Sequence, residues 1–366
     1  MVVGVFLPFF PVFLAGRGLS ESQIAIILAA PLAIRIVFAP VTGAIADRLS
    51  DRRYAIIAYA WIAAISFAGF YYGGGFWWVL AVASVFAVFW TAVVPVADSI
   101  ALSLVHHTGA DYGRLRLWGS VAFIVANLSA GPFLEGRTSQ AVFWLILALL
   151  AVTAFSSFLV PATAGLVSQQ PTLQTPSATA RYLNRRYLLV VGAASVALAG
   201  HAMVYGFGTL YWEAIGLPRW QIGGLWAIGV AAEVILFALS SKVLDRVGAT
   251  GLIAIGALAT VIRWMLFPFV DAIAGIAFLQ VLHGLTFGAT YLGAVHFISR
   301  AVPERFAAQA QGMFATIGGG AMAATMLTTG ALYSRFQADG FMAMALLGVV
   351  AIVMLGFERH YRRDER

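Results

Sequence analysis

Apolar runs long enough to cross a bilayer fill this chain from end to end, and they leave one class of fold open. A helical span needs about 20 apolar residues to cross a hydrocarbon core of ~30 Å at ~1.5 Å per residue. About twelve runs can be read, at 1–15, 22–46, 54–74, 76–105, 115–134, 140–161, 187–214, 220–241, 250–270, 272–299, 306–333 and 340–357. With 61% hydrophobic and only 10% charged residues, the chain lacks the polar surface of a water-soluble domain. The expected fold is an all-α polytopic membrane protein. The first run is short and opens directly in apolar sequence, so its helix is expected to be truncated. No basic segment and cleavage site of a secretory signal precede a soluble part.

Charge placement sets the orientation. If the N-terminus is cytoplasmic, fifteen basic residues fall on cytoplasmic segments, whereas only Arg17, Arg137, Arg219 and Arg335 fall on the opposite side. This positive-inside bias predicts that both termini are cytoplasmic. The net charge of +7 is therefore topological, and no nucleic-acid partner is expected. The absence of cysteine excludes disulfides, cysteine-ligated metals and a cysteine nucleophile. No HExxH, GxSxG or Walker A sequence is present, so enzyme chemistry is not expected, and no cofactor or metal is implied.

The longest polar stretch, 163–186, is rich in Pro, Ser, Thr and Gln and reads as a cytoplasmic linker. It separates an N-terminal six-helix bundle, 1–162, from a C-terminal one, 187–366. The halves repeat weakly. Arg35 stands twelve residues before Asp47-Arg48, and Glu233 stands twelve residues before Asp245-Arg246. Twelve helical residues cover ~18 Å, which places Arg35 and Glu233 near the bilayer midplane. Two parallel six-helix repeats with central polar groups are the architecture of facilitator-type transporters.

An ionisable group inside hydrocarbon costs at least ~2.5–3.5 kcal/mol on insertion scales, so it marks a partner or an aqueous path. Glu233 is the strongest candidate. Its own helix offers no partner, and a carboxyl group so placed favours its neutral form and can exchange a proton. Arg263, on the next span, could instead hold it as a permanent ion pair. Asp98 on the fourth span and Arg116 on the fifth stand at similar depth and could neutralise each other. His201 and Tyr205 share a stripe on the seventh span, and His283 shares one with Phe287 and Thr290 on the tenth. A histidine one turn from a tyrosine supplies switchable donors beside an aromatic wall. At 43–53, Gly43 would permit close helix contact. Asp47 would accept hydrogen bonds at a neighbouring helix end, and Arg48, Arg52 and Arg53 would hold the cytoplasmic gate.

The blocks VPVADSIAL (94–102), DYGRLRLWGSVAF (111–123), YGFGTLYW (205–212), GLWAIGVAAEVILFALS (224–240) and QVLHGLTFG (280–288) carry a resemblance. The chain resembles the phenylpropionate-permease branch of the major facilitator superfamily, relatives of nucleoside–proton and oligosaccharide–proton symporters. The segment 43–53 is similar to the superfamily's loop signature, with Ser50 and Asp51 departing from it. The resemblance implies twelve helices, a rocking cycle, a proton gradient as driving force and substrate contacts at Arg116 and Glu233. Glu213 stands where the phenylpropionate type carries an uncharged residue, and Tyr291 where a histidine is common.

The expected function is proton-coupled symport of a small organic solute across a bacterial inner membrane by a functional monomer. An aromatic monocarboxylate is the first choice of solute, and a nucleoside or sugar is the alternative. Arg116, His201, Tyr205, Glu233, Arg263 and His283 are the expected substrate contacts. Glu233 and Asp98 are the expected proton-coupling groups.

Overall fold

Local sequence signals set the helix boundaries. Ser20 begins the second helix with a capping box, its side chain accepting from Gln23 N while the Gln23 side chain accepts from Ser20 N. Asn184 caps the seventh helix in the same sense, accepting from Tyr187 N at 2.8 Å. The computed structural model describes residues 1–108, 112–162 and 184–364. Among these residues every regular element is helical. The linker expected at 163–186 lies outside the described residues from 163 to 183.

Two compact units divide the chain, Met1–Pro171 and Thr172–Arg366. The first holds α1 (Val2–Gly16), α2 (Glu21–Arg48), α3 (Arg53–Ala68), α4 (Phe76–Thr108), α5 (Tyr112–Leu134) and α6 (Gln140–Ser156). There α4 packs on α2 and α3, while α1 packs on α5 and α6. The second unit holds α7 (Arg185–Ala199), α8 (Ala202–Ala214), α9 (Arg219–Ala238), α10 (Ser240–Val247), α11 (Ala249–Leu266), α12 (Ile273–Val281), a π-helical turn (Gly284–Ala289), α13 (Thr290–Ala301), α14 (Ala307–Phe336) and α15 (Ala345–Asp364). Its core joins α7, α11, α13, α14 and α15 around Val190, Ala194, Ile253, Ala294 and Ala351.

Among the described residues ten segments are long and apolar enough to cross a membrane. One of them, Ala307–His360, runs for 54 residues. At ~1.5 Å per residue that is too long for one crossing, and the positive φ of Gln337 breaks it between α14 and α15. With the shorter apolar helix Val2–Gly16, the described residues accommodate the twelve expected crossings. Large side chains such as Trp77, Tyr72 and Leu159 face outward, as they do where lipid is the solvent.

Three expected single runs are interrupted. The seventh breaks at Gly200-His201 between α7 and α8, and the tenth passes through the π-helical turn. The eighth bends at Leu239, so the stretch from Glu233 to Asp245 is not one continuous helix. The sequence alone shows uniform apolar runs here. The breaks come from polar and steric contacts between helices.

Candidate functional site

His201 sits at the first break. The Leu198 carbonyl accepts from both His201 N, at 3.1 Å, and the ring Nδ1, at 2.9 Å. This closes a tight turn in place of the next α-helical bond. A Cβ on Gly200 would crowd this turn, lying 3.1 Å from Ala197 O and 3.2 Å from Thr260 Cγ2. His283 stands at the entrance of the second break. In the π-helical turn, a Cβ on Gly284 would come within 3.0 Å of the Ala232 carbonyl carbon and oxygen. Missing side chains at Gly284 and Gly288 let the turn lie directly on α9, beside Glu233. The two breaks meet: the His201 and His283 rings form an edge-to-face pair, 5.1 Å between centroids.

Arg263, on α11, is the hub of a buried polar network and only 1% exposed. One terminal nitrogen donates to Thr286 Oγ1 at 3.1 Å and approaches His283 Nδ1 at 3.4 Å. The other donates to Gln280 Oε1 at 2.6 Å. Gln280 Nε2 donates in turn to the Leu225 carbonyl at 3.1 Å, tying α12 to α9. Thr286 Oγ1 lies 3.0 Å from His201 Nε2. The guanidinium also lies 4.6 Å from the Trp264 ring centroid. No carboxylate comes within 4.0 Å of Arg263 among the described residues, so neutral groups alone hold this buried cation.

Glu233 reaches the network from the other side. Its Oε2 is 3.8 Å from His283 Nε2, and its side chain keeps 20% exposure. The expected alternative of a permanent Arg263–Glu233 ion pair is corrected by this geometry: His283 stands between the two. Tyr205 stacks on His201 at 5.7 Å and on Trp226 at 6.0 Å, and its hydroxyl has no hydrogen-bond partner among the described residues. His283, Phe287 and Tyr291 follow one another at one-turn spacing, with successive rings within 15° of parallel.

The structure therefore gathers His201, Tyr205, Glu233, Arg263 and His283 within one unit. Sequence reasoning missed Gln280 and Thr286. Both are uncharged and lie within a turn of His283, and their polar placement inside an apolar run was the available signal. Asp98 lies half-buried on α4, and the side chain of Arg116 falls outside the described residues. The expected Asp98–Arg116 pair is therefore not described. Glu213 carries its own counter-charge, accepting from Arg219 Nε at 2.6 Å.

The loop after α2 differs from its expected form. No described atom lies within 4 Å of a Cβ built on Gly43, so Gly43 is not a close helix contact. Asp47 is 62% exposed and pairs with Arg52 at 2.6 Å instead of meeting a helix end. Asp51 is the buried member at 4% exposure. It accepts from Arg53 N at 2.9 Å at the start of α3. Arg48 is exposed, and Arg53 packs over the Tyr54 ring.

Comparisons with known proteins agree with this architecture. A model described as the MFS_1 like family matches residues 1–344. A probable 3-phenylpropionic acid transporter of Escherichia coli (strain K12) is 30% identical, over 96% of this chain and 93% of its own length. The maltose permease of Geobacillus stearothermophilus is 25% identical, over 99% of this chain and 93% of its own. The crystal structure of the nucleoside transporter NupG superposes with a TM-score of 0.83 at 16% identity, covering 98% of this chain and 95% of that one.

Proposed function

This chain belongs to the MFS_1-like family of membrane transporters, and from that premise we propose that it is a proton-coupled symporter of a small organic solute, an aromatic monocarboxylate first. The observation that carries the reading is Glu233: a half-buried carboxylate in a membrane span, with His283 Nε2 at 3.8 Å and, among the described residues, no Lys or Arg within 4.0 Å. Such a group exchanges a proton at low electrostatic cost, and its protonation removes the negative charge that would repel an anionic solute. Arg263 then leaves the region one positive charge in excess, so proton and anion favour each other's binding. Tyr205, Glu233 and His283 are the members placed to meet the solute. Arg263 and His201 stand behind them, and on this reading Arg116 is the guanidinium for the solute carboxylate. The stacked rings of His283, Phe287 and Tyr291 offer a flat apolar wall, and the 30% identity to a probable 3-phenylpropionic acid transporter supports an aromatic ligand.

The same reading places two six-helix bundles at 1–162 and 187–366, joined by a cytoplasmic linker, in a bacterial inner membrane. Both termini are cytoplasmic and the monomer is the working unit. The test is binding of an aromatic acid and its amide to the purified protein and to Arg116→Lys. Acid-selective affinity that collapses in the lysine variant is expected. Equal binding of acid and amide overturns the carboxylate reading and favours a neutral sugar or nucleoside.

A further inference from the structure

The geometry points to opposite tautomers for the two buried histidines, with Gln280 and Arg263 as positioning residues that hold His283 as an Nε2–H donor aimed at Glu233. The argument starts at the carbonyl groups, which only accept. Gln280 faces the Leu225 carbonyl at 3.1 Å, so its amide nitrogen must be on that side and its Oε1 must face Arg263. With Gln280 Oε1 taking one terminal nitrogen at 2.6 Å, the plane of the guanidinium is set. Its other terminal nitrogen has two hydrogens and two neighbours, Thr286 Oγ1 at 3.1 Å and His283 Nδ1 at 3.4 Å. A hydrogen on His283 Nδ1 would confront a guanidinium N–H, donor against donor. Nδ1 therefore presents its lone pair, and the ring hydrogen sits on Nε2, 3.8 Å from Glu233 Oε2.

The same reasoning inverts His201. Its Nδ1 faces the Leu198 carbonyl at 2.9 Å and must carry the hydrogen. Its Nε2 is then bare and accepts the Thr286 hydroxyl hydrogen at 3.0 Å, while Thr286 accepts from Arg263. The His283 carbonyl is a longer second acceptor for the Thr286 hydroxyl at 3.5 Å, and from Arg263 through Thr286 and His201 to Leu198 no donor meets a donor. On this assignment Arg263, only 1% exposed, acts on Glu233 through His283.

The functional consequence rests on the reading of Glu233 as the proton carrier, but the tautomers can be read without transport. The experiment labels the histidines of the full chain with nitrogen-15, in lipid nanodiscs, and assigns His201 and His283 by the signals lost in His201→Gln and His283→Gln. In the wild type, His283 should show a protonated Nε2 and a bare Nδ1, and His201 the reverse. Gln280→Leu should convert His283 to a mixture while His201, held by its own carbonyl, keeps its form. Gradient-driven accumulation should fall about tenfold, the scale of an outer-layer partner, and fall more than exchange does. A wild-type His283 protonated at Nδ1 overturns the proposal, and that measurement needs no variant to fold. So does a folded Gln280→Leu protein whose His283 is unchanged. Normal accumulation by Glu233→Gln would end the carrier reading and leave the tautomer result standing.

Discussion

The two units share only a weak sequence repeat and use their interior polar groups differently. In the first, Arg35 is exposed on α2, which runs unbroken from Glu21 to Arg48, and the Asp47–Arg52 pair of the following loop lies at the surface. In the second, the corresponding helix bends at Leu239, two neighbouring spans break at their histidines, and the freed backbone is absorbed by side chains. Irregular backbone at membrane depth survives only where protein or water satisfies it. The second unit meets that condition at the Leu198 carbonyl through His201 and at the His283 carbonyl through Thr286, with Arg263 and Gln280 joined to those side chains in one network. A long helix is the stable default of an apolar run, and a break marks a place where a polar network repays the lost helical bonds.

The comparison is broken most directly at Glu233. Glu233→Gln should abolish uphill accumulation driven by a proton gradient while exchange or binding stays measurable. Uptake by reconstituted vesicles is the readout, and normal accumulation would remove Glu233 from the mechanism. In the other unit, Asp98→Asn and Arg116→Gln should each impair transport, with a coupling energy of about 0.5–3 kcal/mol in a double-mutant cycle on stability. Strict additivity would show that the two do not interact.

Glycine gives a sharper contrast. Gly284→Ala places its Cβ against the Ala232 backbone, which cannot turn aside as a flexible side chain would. A loss of about 1–3 kcal/mol is expected in thermal or denaturant unfolding. Asp51→Ala should cost roughly 0.5–2 kcal/mol by removing the side chain that receives Arg53 N. Asp47→Ala, losing an exposed pair, should cost no more than about 1 kcal/mol. The smallest effect is Gly43→Ala. Its Cβ meets no described atom, and alanine favours a helix over glycine by up to about 1 kcal/mol, so the change should be neutral or mildly stabilising. A clear loss at Gly43 would restore it as a close contact.

Much of the site was legible in the chain. Glu233, Arg263, His201 and His283 announce themselves because a charge or an imidazole inside an apolar run is costly and rare. Their partners were not. Gln280 and Thr286 are common enough in membrane helices to pass as filler, and only their meeting with Arg263 gives them roles. The same holds for Asp51, whose burial depends on how α2 and α3 turn, not on the loop sequence.

The sequence by itself determined the helical membrane fold and the apolar runs long enough to cross a bilayer. Those properties follow from hydropathy, length and the cost of moving charge across a bilayer, which act residue by residue. The tertiary structure decided where helices break, that His283 and not Arg263 stands beside Glu233, and which partner faces each histidine nitrogen. Those depend on directional hydrogen bonds between side chains from separate helices, whose partners are distant in the chain and fixed only when the helices pack.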